Sequence, residues 1–143
     1  MLTLRGLVII VLVAGGAMTG CSEERKAPDT QAEQSSLAAE IHAVIARKGY
    51  DARSINVDRK PAMITISLFN SALLQAGSQE RHAEATDIVS AIHARMVQNT
   101  EFGLVQTIHV DYMRSESDKA AGKLVDAIEF YRAPDGTFRY HKS

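Results

Sequence analysis

The stretch Ile55–Phe69, with the sequence INVDRKPAMITISLF, decides the fold that the sequence predicts. Apolar and polar residues alternate in both halves of this stretch, and Lys60-Pro61 separates the halves. A period of two places successive side chains on opposite faces of a strand, so each half is predicted to be a strand with one buried face. We therefore expect a β-hairpin whose other face is open.

Amphipathic helices are predicted before and after this hairpin. The first begins at Leu37, behind a capping Ser35 or Ser36. Gly49 is placed to end it in a left-handed conformation. The second helix begins with Ser78 as its cap. Each helix has an apolar stripe at helical spacing, formed by Leu37, Ile41, Val44 and Ile45 in the first and by Ala85, Ile88, Val89, Ile92 and Met96 in the second.

Three further strands are predicted in the C-terminal part of the chain. One runs from about Leu104 to Met113, and a hairpin follows over Leu124–Arg132 and Thr137–His141 with an Asp-Gly turn. The element order is therefore α-β-β-α-β-β-β. It predicts an α+β two-layer sandwich, in which two helices pack on one face of a mainly antiparallel sheet. The pattern predicts one domain over residues 35–143 and leaves the strand order open.

The N-terminal segment 1–20 is predicted to be an export signal. Arg5 precedes the apolar run Leu7–Ala14, which is shorter than the roughly 20 residues of a membrane span. The following Met18-Thr19-Gly20-Cys21 resembles the lipobox of bacterial lipoproteins, with Met18 where Leu is usual. This resemblance implies that Cys21 becomes the lipidated first residue of the mature protein and attaches it to a membrane.

The residues after Cys21 are expected to form a flexible tether over 21–34. They are polar and show no apolar periodicity. The lipoprotein resemblance also bears on localisation, since Ser22 stands where an Asp usually marks retention in the inner membrane. It implies an outer-membrane protein facing the periplasm, in an organism with two membranes.

Composition argues against several classes of function. The 143 residues carry 16 basic and 17 acidic side chains, a net charge of -1, which disfavours nucleic acid as a partner. The single Cys gives no intramolecular disulfide and no Cys-based zinc site. The sequence contains neither a G-x-S-x-G elbow nor a phosphate-binding glycine loop. No cofactor or metal is predicted.

A polar strand face is the candidate binding site. If the last three strands are neighbours, their alternation places acids, bases and an aromatic ring on one exposed face: His109, Asp111, Glu129, Tyr131, Arg139 and His141. Such a face can bind a ligand or partner, and a solvated sheet looks the same. A metal site between its histidines and the glutamate would also need strand adjacency. His82 and His93 flank the apolar stripe of the second helix and are predicted to lie at the edge of the core.

A second resemblance concerns the cell wall. The segments Ile64–Ser71 and Ile108–Val110, with Gly77 between them, resemble the opening of OmpA-type peptidoglycan-binding domains. The Gly-His-Thr-Asp-type segment of that family is absent after the second strand. The resemblance implies wall binding, for which the candidate residues are Asp111, Arg114, Tyr131 and Arg139.

The function predicted from these features is that of a lipid-anchored envelope protein. It would act as a small binding or assembly accessory for another envelope protein and not as an enzyme. Two alternatives stay open at this point. One is a peptidoglycan-binding or small-ligand-binding domain, and the other is an envelope hydrolase that uses His109 on the same polar face.

Overall fold

The computed structural model describes residues 30–116 and 122–141, with side chains from Ser36 onward. Its helices and strands are α1 Thr30–Arg47, β1 Ile55–Lys60, β2 Met63–Phe69, α2 Ser78–Met96, β3 Thr107–Arg114, β4 Lys123–Arg132 and β5 Phe138–Tyr140. The predicted α+β class and the order of its elements are confirmed. The predicted signal segment and Cys21 lie outside the described residues. None of the helices in the described part is both long and apolar enough to cross a membrane.

The five strands form one sheet in which the spatial order is the chain order, β1-β2-β3-β4-β5. β2 and β3 are parallel, and the other three neighbouring pairs are antiparallel. Parallel strands need a long crossover connection, and α2 provides it between β2 and β3. The sheet is therefore mainly antiparallel, as predicted, with one parallel junction in its interior.

Both helices lie on the same face of the sheet. α1 packs against β1 and α2, while α2 contacts β4 and β5. The inward positions of β2 (Ile64, Ile66 and Leu68) are fully buried, whereas the intervening residues are only partly covered. The same alternation runs along β3, where Ile108, Val110 and Tyr112 are fully buried. The predicted two-layer arrangement is thus confirmed, and within the described residues neither helix covers the opposite face.

The ends of the elements differ from the prediction at several points. The last strand, predicted over Thr137–His141, is the shorter β5, so that Thr137 and His141 lie outside it. α1 begins at Thr30, ahead of the predicted serine cap, and so takes in part of the segment assigned to the tether. The cap of α2 is Gly77, whose extended backbone ends the preceding turn, so that Ser78 is already helical. Leu104 belongs to a 3-10 turn and is 64% exposed, and β3 begins only at Thr107. The left-handed Gly49 after α1 is confirmed, with a φ of +100°.

One arginine on the helix side of the sheet joins the strands that carry the candidate site. The Arg132 guanidinium donates through Nε to the carbonyl oxygen of Val105 at 2.6 Å. Its two Nη atoms donate to the carbonyls of Phe102 (2.7 Å) and Gly136 (3.0 Å). These carbonyls belong to the turn before β3 and the turn before β5. A single β4 side chain therefore holds the approaches to both neighbouring strands.

Candidate functional site on the open face of the sheet

We call the side of the sheet that faces away from both helices the open face. The cross-strand pairs Thr107–Tyr131, His109–Glu129 and Tyr131–Arg139 show that β3, β4 and β5 are neighbours. The sequence had left this adjacency undetermined. His141 follows β5, and its ring centroid lies 6.1 Å from that of Tyr131. The structure therefore places all the predicted residues, Asp111 included, on the open face.

Contacts connect several of these residues across the strands. The Tyr131 hydroxyl donates a hydrogen bond of 2.6 Å to Glu129 Oε2. The other carboxylate oxygen, Glu129 Oε1, lies 3.8 Å from His109 Nδ1. The hydrogen bond to Glu129 and the negative charge of its carboxylate raise the pKa of Tyr131. With the His141 ring against Tyr131, a continuous row of polar and aromatic contacts runs from β3 to the end of β5.

Asp111 lies beside this row and makes no direct contact with a partner among the described residues. It is half-buried, and no hydrogen bond or ion pair within the described residues satisfies its carboxylate. Burial raises its pKa, with a smaller contribution from the negative charge of Glu129, while His109 opposes the shift. A half-buried carboxylate without a donor is suited to accept a hydrogen bond or a positive charge from a bound partner.

Arg139 is the exception among the predicted residues. Its guanidinium forms an ion pair with Asp135 in the preceding turn. Asp135 also accepts hydrogen bonds from the hydroxyl and the amide of Thr137, which are the main reason that its pKa is lowered. Arg139 is therefore held by its own hairpin and does not neutralise the acids at the centre of the open face.

Two parts of the open face were not among the predicted site residues. Asp58 on β1 and Thr65 on β2 extend the row of His109 and Glu129 across the sheet. The alternation of Ile55–Lys60 could have identified Asp58. Leu124, which is 51% exposed, lies opposite Met113 at one end of the face.

A β-bulge explains why the position of Leu124 could not be predicted. The register between β3 and β4 shifts between Tyr112 and Met113, so one residue of β4 is unpaired there. Uninterrupted alternation would have put Leu124 on the helix side with Asp126. The bulge changes the phase and places this leucine on the open face.

The chemistry of the open face is acidic at its centre and apolar at one end. Its carboxylates are Asp58, Asp111 and Glu129, and Lys60 lies on the same face. Among the described residues, no group of three or more His, Cys, Asp and Glu side chains could hold a metal ion.

No protein-family model, curated protein or solved structure matches the chain.

Proposed function

We propose that the protein is a lipid-anchored bacterial envelope protein that binds a basic surface of another envelope protein through its open face. The observation that carries the proposal is that, in the described residues, neither helix packs on this side of the five-stranded sheet. That side combines exposed apolar side chains with carboxylates that form no ion pair with a Lys or Arg of the described residues.

Charge indicates the kind of partner. Asp58, Asp111 and Glu129 form no ion pair with a Lys or Arg of the described chain. Complementary charge across an interface steers association and fixes register, so a surface bearing Lys or Arg fits this centre. Leu124 and the 45% exposed Tyr131 supply the apolar and aromatic contact area that protein interfaces favour.

The lipobox resemblance supports the anchor part of the proposal. Lipid on Cys21 would attach the chain to a membrane, and multiple acyl chains hold a protein stably. Only residues 22–29 separate Cys21 from the start of α1 at Thr30. Fully extended, such a segment spans at most roughly 30 Å. The partner surface would then lie close to the membrane that carries the anchor.

Site-specific crosslinking in the native envelope tests the binding face. A photoreactive benzoylphenylalanine is placed at position 65, in the central row of the open face, and a matched one at Ser90, an exposed position of α2. We expect a defined protein adduct at position 65 and none at position 90. Mass spectrometry of the adduct should locate the crosslinked peptide on a basic surface of the partner.

Charge-removing variants test the chemistry of the contact. Asp58→Asn combined with Glu129→Gln should reduce the affinity for the crosslinked partner roughly tenfold, and raised salt should have a similar effect. The control combines Glu40→Gln and Glu80→Gln, which remove the same charge from exposed helix positions. Equal crosslinking at positions 65 and 90, or equal loss in both double variants, would contradict the proposal. An adduct with muropeptides in place of a protein would favour wall binding.

The anchor has its own test. The mature protein should have the mass of a chain beginning at an acylated Cys21 and should partition into the detergent phase. A Cys21→Ser chain should lose both properties. Cleavage at another residue, or an unmodified Cys21 in the mature protein, would contradict the lipoprotein assignment.

A further inference from the structure

A cavity of about 530 Å³ lies at the edge of the sheet where both parallel strands end. It is bounded by the chain after α1, by the end of β2 and by α2, and its lining includes Lys48, Tyr50, Arg53, Phe69, Ser71 and Glu84. This volume is in the range of small-molecule sites. Phe69 lies on the open face beside Met113, whereas Glu84 lies on α2 and contacts the core residue Tyr112, so the polar groups of the cavity are separate from the open face.

Glu84 is the carboxylate of this cavity whose charge is uncompensated. Among the described residues, Lys48 pairs with Asp87 and Arg53 with Asp51, whereas Glu84 takes part in no ion pair. Its Oε2 atom accepts a hydrogen bond of 2.8 Å from the hydroxyl of the buried Tyr112. The second oxygen, Oε1, makes no hydrogen bond within the described residues. It is thus free to accept a donor from a molecule in the cavity.

A second phenol lies beside the same carboxylate. The Tyr50 hydroxyl oxygen is buried, and within the described part of the chain it lacks a hydrogen bond of good geometry, although it lies close to the Glu84 carboxylate. Burial raises the pKa of Tyr50, and so do a weak hydrogen-bonding contact with Glu84 and the negative charge of this carboxylate, so the hydroxyl keeps its proton at all ordinary pH values. A buried hydroxyl without a partner costs free energy, and a ligand that supplied one would recover it.

The rest of the lining adds contacts of two kinds. The Ser71 oxygen accepts a hydrogen bond from the amide of Leu73, which leaves its own hydrogen for a ligand. The half-buried Phe69 adds an apolar residue at the border between the cavity and the open face, and aromatic rings attract organic cations. Asn70, in a left-handed conformation with a φ of +52°, is occupied by hydrogen bonds to the backbone of Ser115. It therefore shapes the rim without offering a free group.

We propose that this cavity binds a small molecule through a primary ammonium group, which donates to Glu84 and lies beside the Tyr50 hydroxyl. The free amine of an amino acid or peptide and the amine of an amino sugar share this chemistry. Phe69 contacts the carbon skeleton that carries the ammonium group. This site does not depend on the proposed role of the open face.

Matched pairs of probes test the proposal on the full chain in detergent. Binding of each probe is monitored through the amide resonances of Tyr50, Phe69 and Glu84. Alaninamide is compared with N-acetylalaninamide, and glucosamine with N-acetylglucosamine. Each pair differs in whether the nitrogen is a cationic ammonium or a neutral amide. We expect at least one ammonium probe to bind roughly tenfold or more tightly than its acetylated partner. The pair that shows the preference identifies the source of the amine.

Two variants assign the preference to the cavity. Glu84→Gln keeps an acceptor for Tyr112 but removes the charge, and it should abolish the tenfold preference. Glu80→Gln, the same change at an exposed position one helical turn earlier, should preserve it. Tyr50→Phe should weaken binding several-fold. Because its hydroxyl lacks a well-formed hydrogen bond in the described residues, this variant should fold normally and so tests the site even if Glu84→Gln does not fold. Equal binding of both members of each pair, no binding of any probe, or an unchanged preference in Glu84→Gln would overturn the proposal.

Discussion

Two tyrosines beside Glu84 provide a sharp test of the hydrogen bonding in the interior. Tyr112 is fully buried, and its hydroxyl lies 2.9 Å from the carbonyl oxygen of Arg81 and 2.8 Å from Glu84 Oε2. The hydroxyl oxygen of Tyr50 is buried but lacks a well-formed hydrogen bond in the described residues. The same substitution to phenylalanine should therefore have different consequences at the two positions.

The magnitudes follow from what each hydroxyl contacts. A phenol has one hydrogen, so Tyr112→Phe removes about one hydrogen bond to a charged acceptor, a loss of about 1.5–3 kcal/mol. Because Glu84 lines the cavity, water can reach its carboxylate, and we expect a value near the lower end, about 2 kcal/mol. Tyr50→Phe removes only a weak contact with Glu84 and relieves a poorly satisfied hydroxyl. Its free energy of unfolding should stay within about 0.5 kcal/mol of the wild type or rise.

Urea denaturation followed by circular dichroism measures both variants. The m-value should be the same for all three chains, so that the shift in midpoint reports stability alone. Thermal midpoints should fall by about 8 °C for Tyr112→Phe and stay nearly unchanged for Tyr50→Phe. Equal losses in the two variants would refute the reasoning, because they would mean that the Tyr50 hydroxyl has a partner. The proposed ammonium site would then lose the Tyr50 hydroxyl as a group that is available to the ligand.

Three further changes have expected outcomes. Arg132→Lys keeps the charge, but a lysine cannot reach three carbonyls at once. The variant should lower the free energy of unfolding by about 2–4 kcal/mol in urea titrations. A loss as small as that of the exposed Arg139→Lys would be evidence against the role of the Arg132 guanidinium. Asp111 has a raised pKa in the folded state, so its contribution to stability is greatest below the ordinary value of 3.8 and is lost as pH rises through the folded value. Asp111→Asn should accordingly stabilise the protein at pH 7 and lose that advantage near pH 3, and a destabilising effect at pH 7 would show that the carboxylate has a donor. Gly49→Ala should lower stability by about 1 kcal/mol because of its φ of +100°, whereas Gly103→Ala, which also meets open space, should leave the thermal midpoint nearly unchanged.

Local periodicity predicted the elements well and their assembly only in part. The alternation in Ile55–Phe69 identified β1 and β2 because a half-buried strand must repeat every two residues. The start of α2 was off by one residue, since glycine can take the cap position without a side-chain bond. The order of the strands depends on which faces pack together in three dimensions, and no pattern within a single strand carries that information.

The candidate sites show the same division. The six members of the predicted polar face could be grouped because β3 and the last hairpin keep their alternation up to the bulge. Leu124 could not, since the bulge changes the phase of β4. The cavity was not predicted, because Tyr50, Phe69 and Glu84 come from three separate elements. They meet only where the crossover through α2 brings its first turns over the end of β2.

The agreement between strand order and chain order has a consequence for how the protein folds. β1 and β2 are joined by residues 61–62, and β3, β4 and β5 by short connections, so most of the sheet forms from segments close in sequence. Only the pairing of β2 with β3 must close the long loop of residues 70–106. The loop-closure entropy of the sheet is therefore concentrated in this one step, and the time needed to fold depends mainly on how soon α2 brings the two halves of the sheet together.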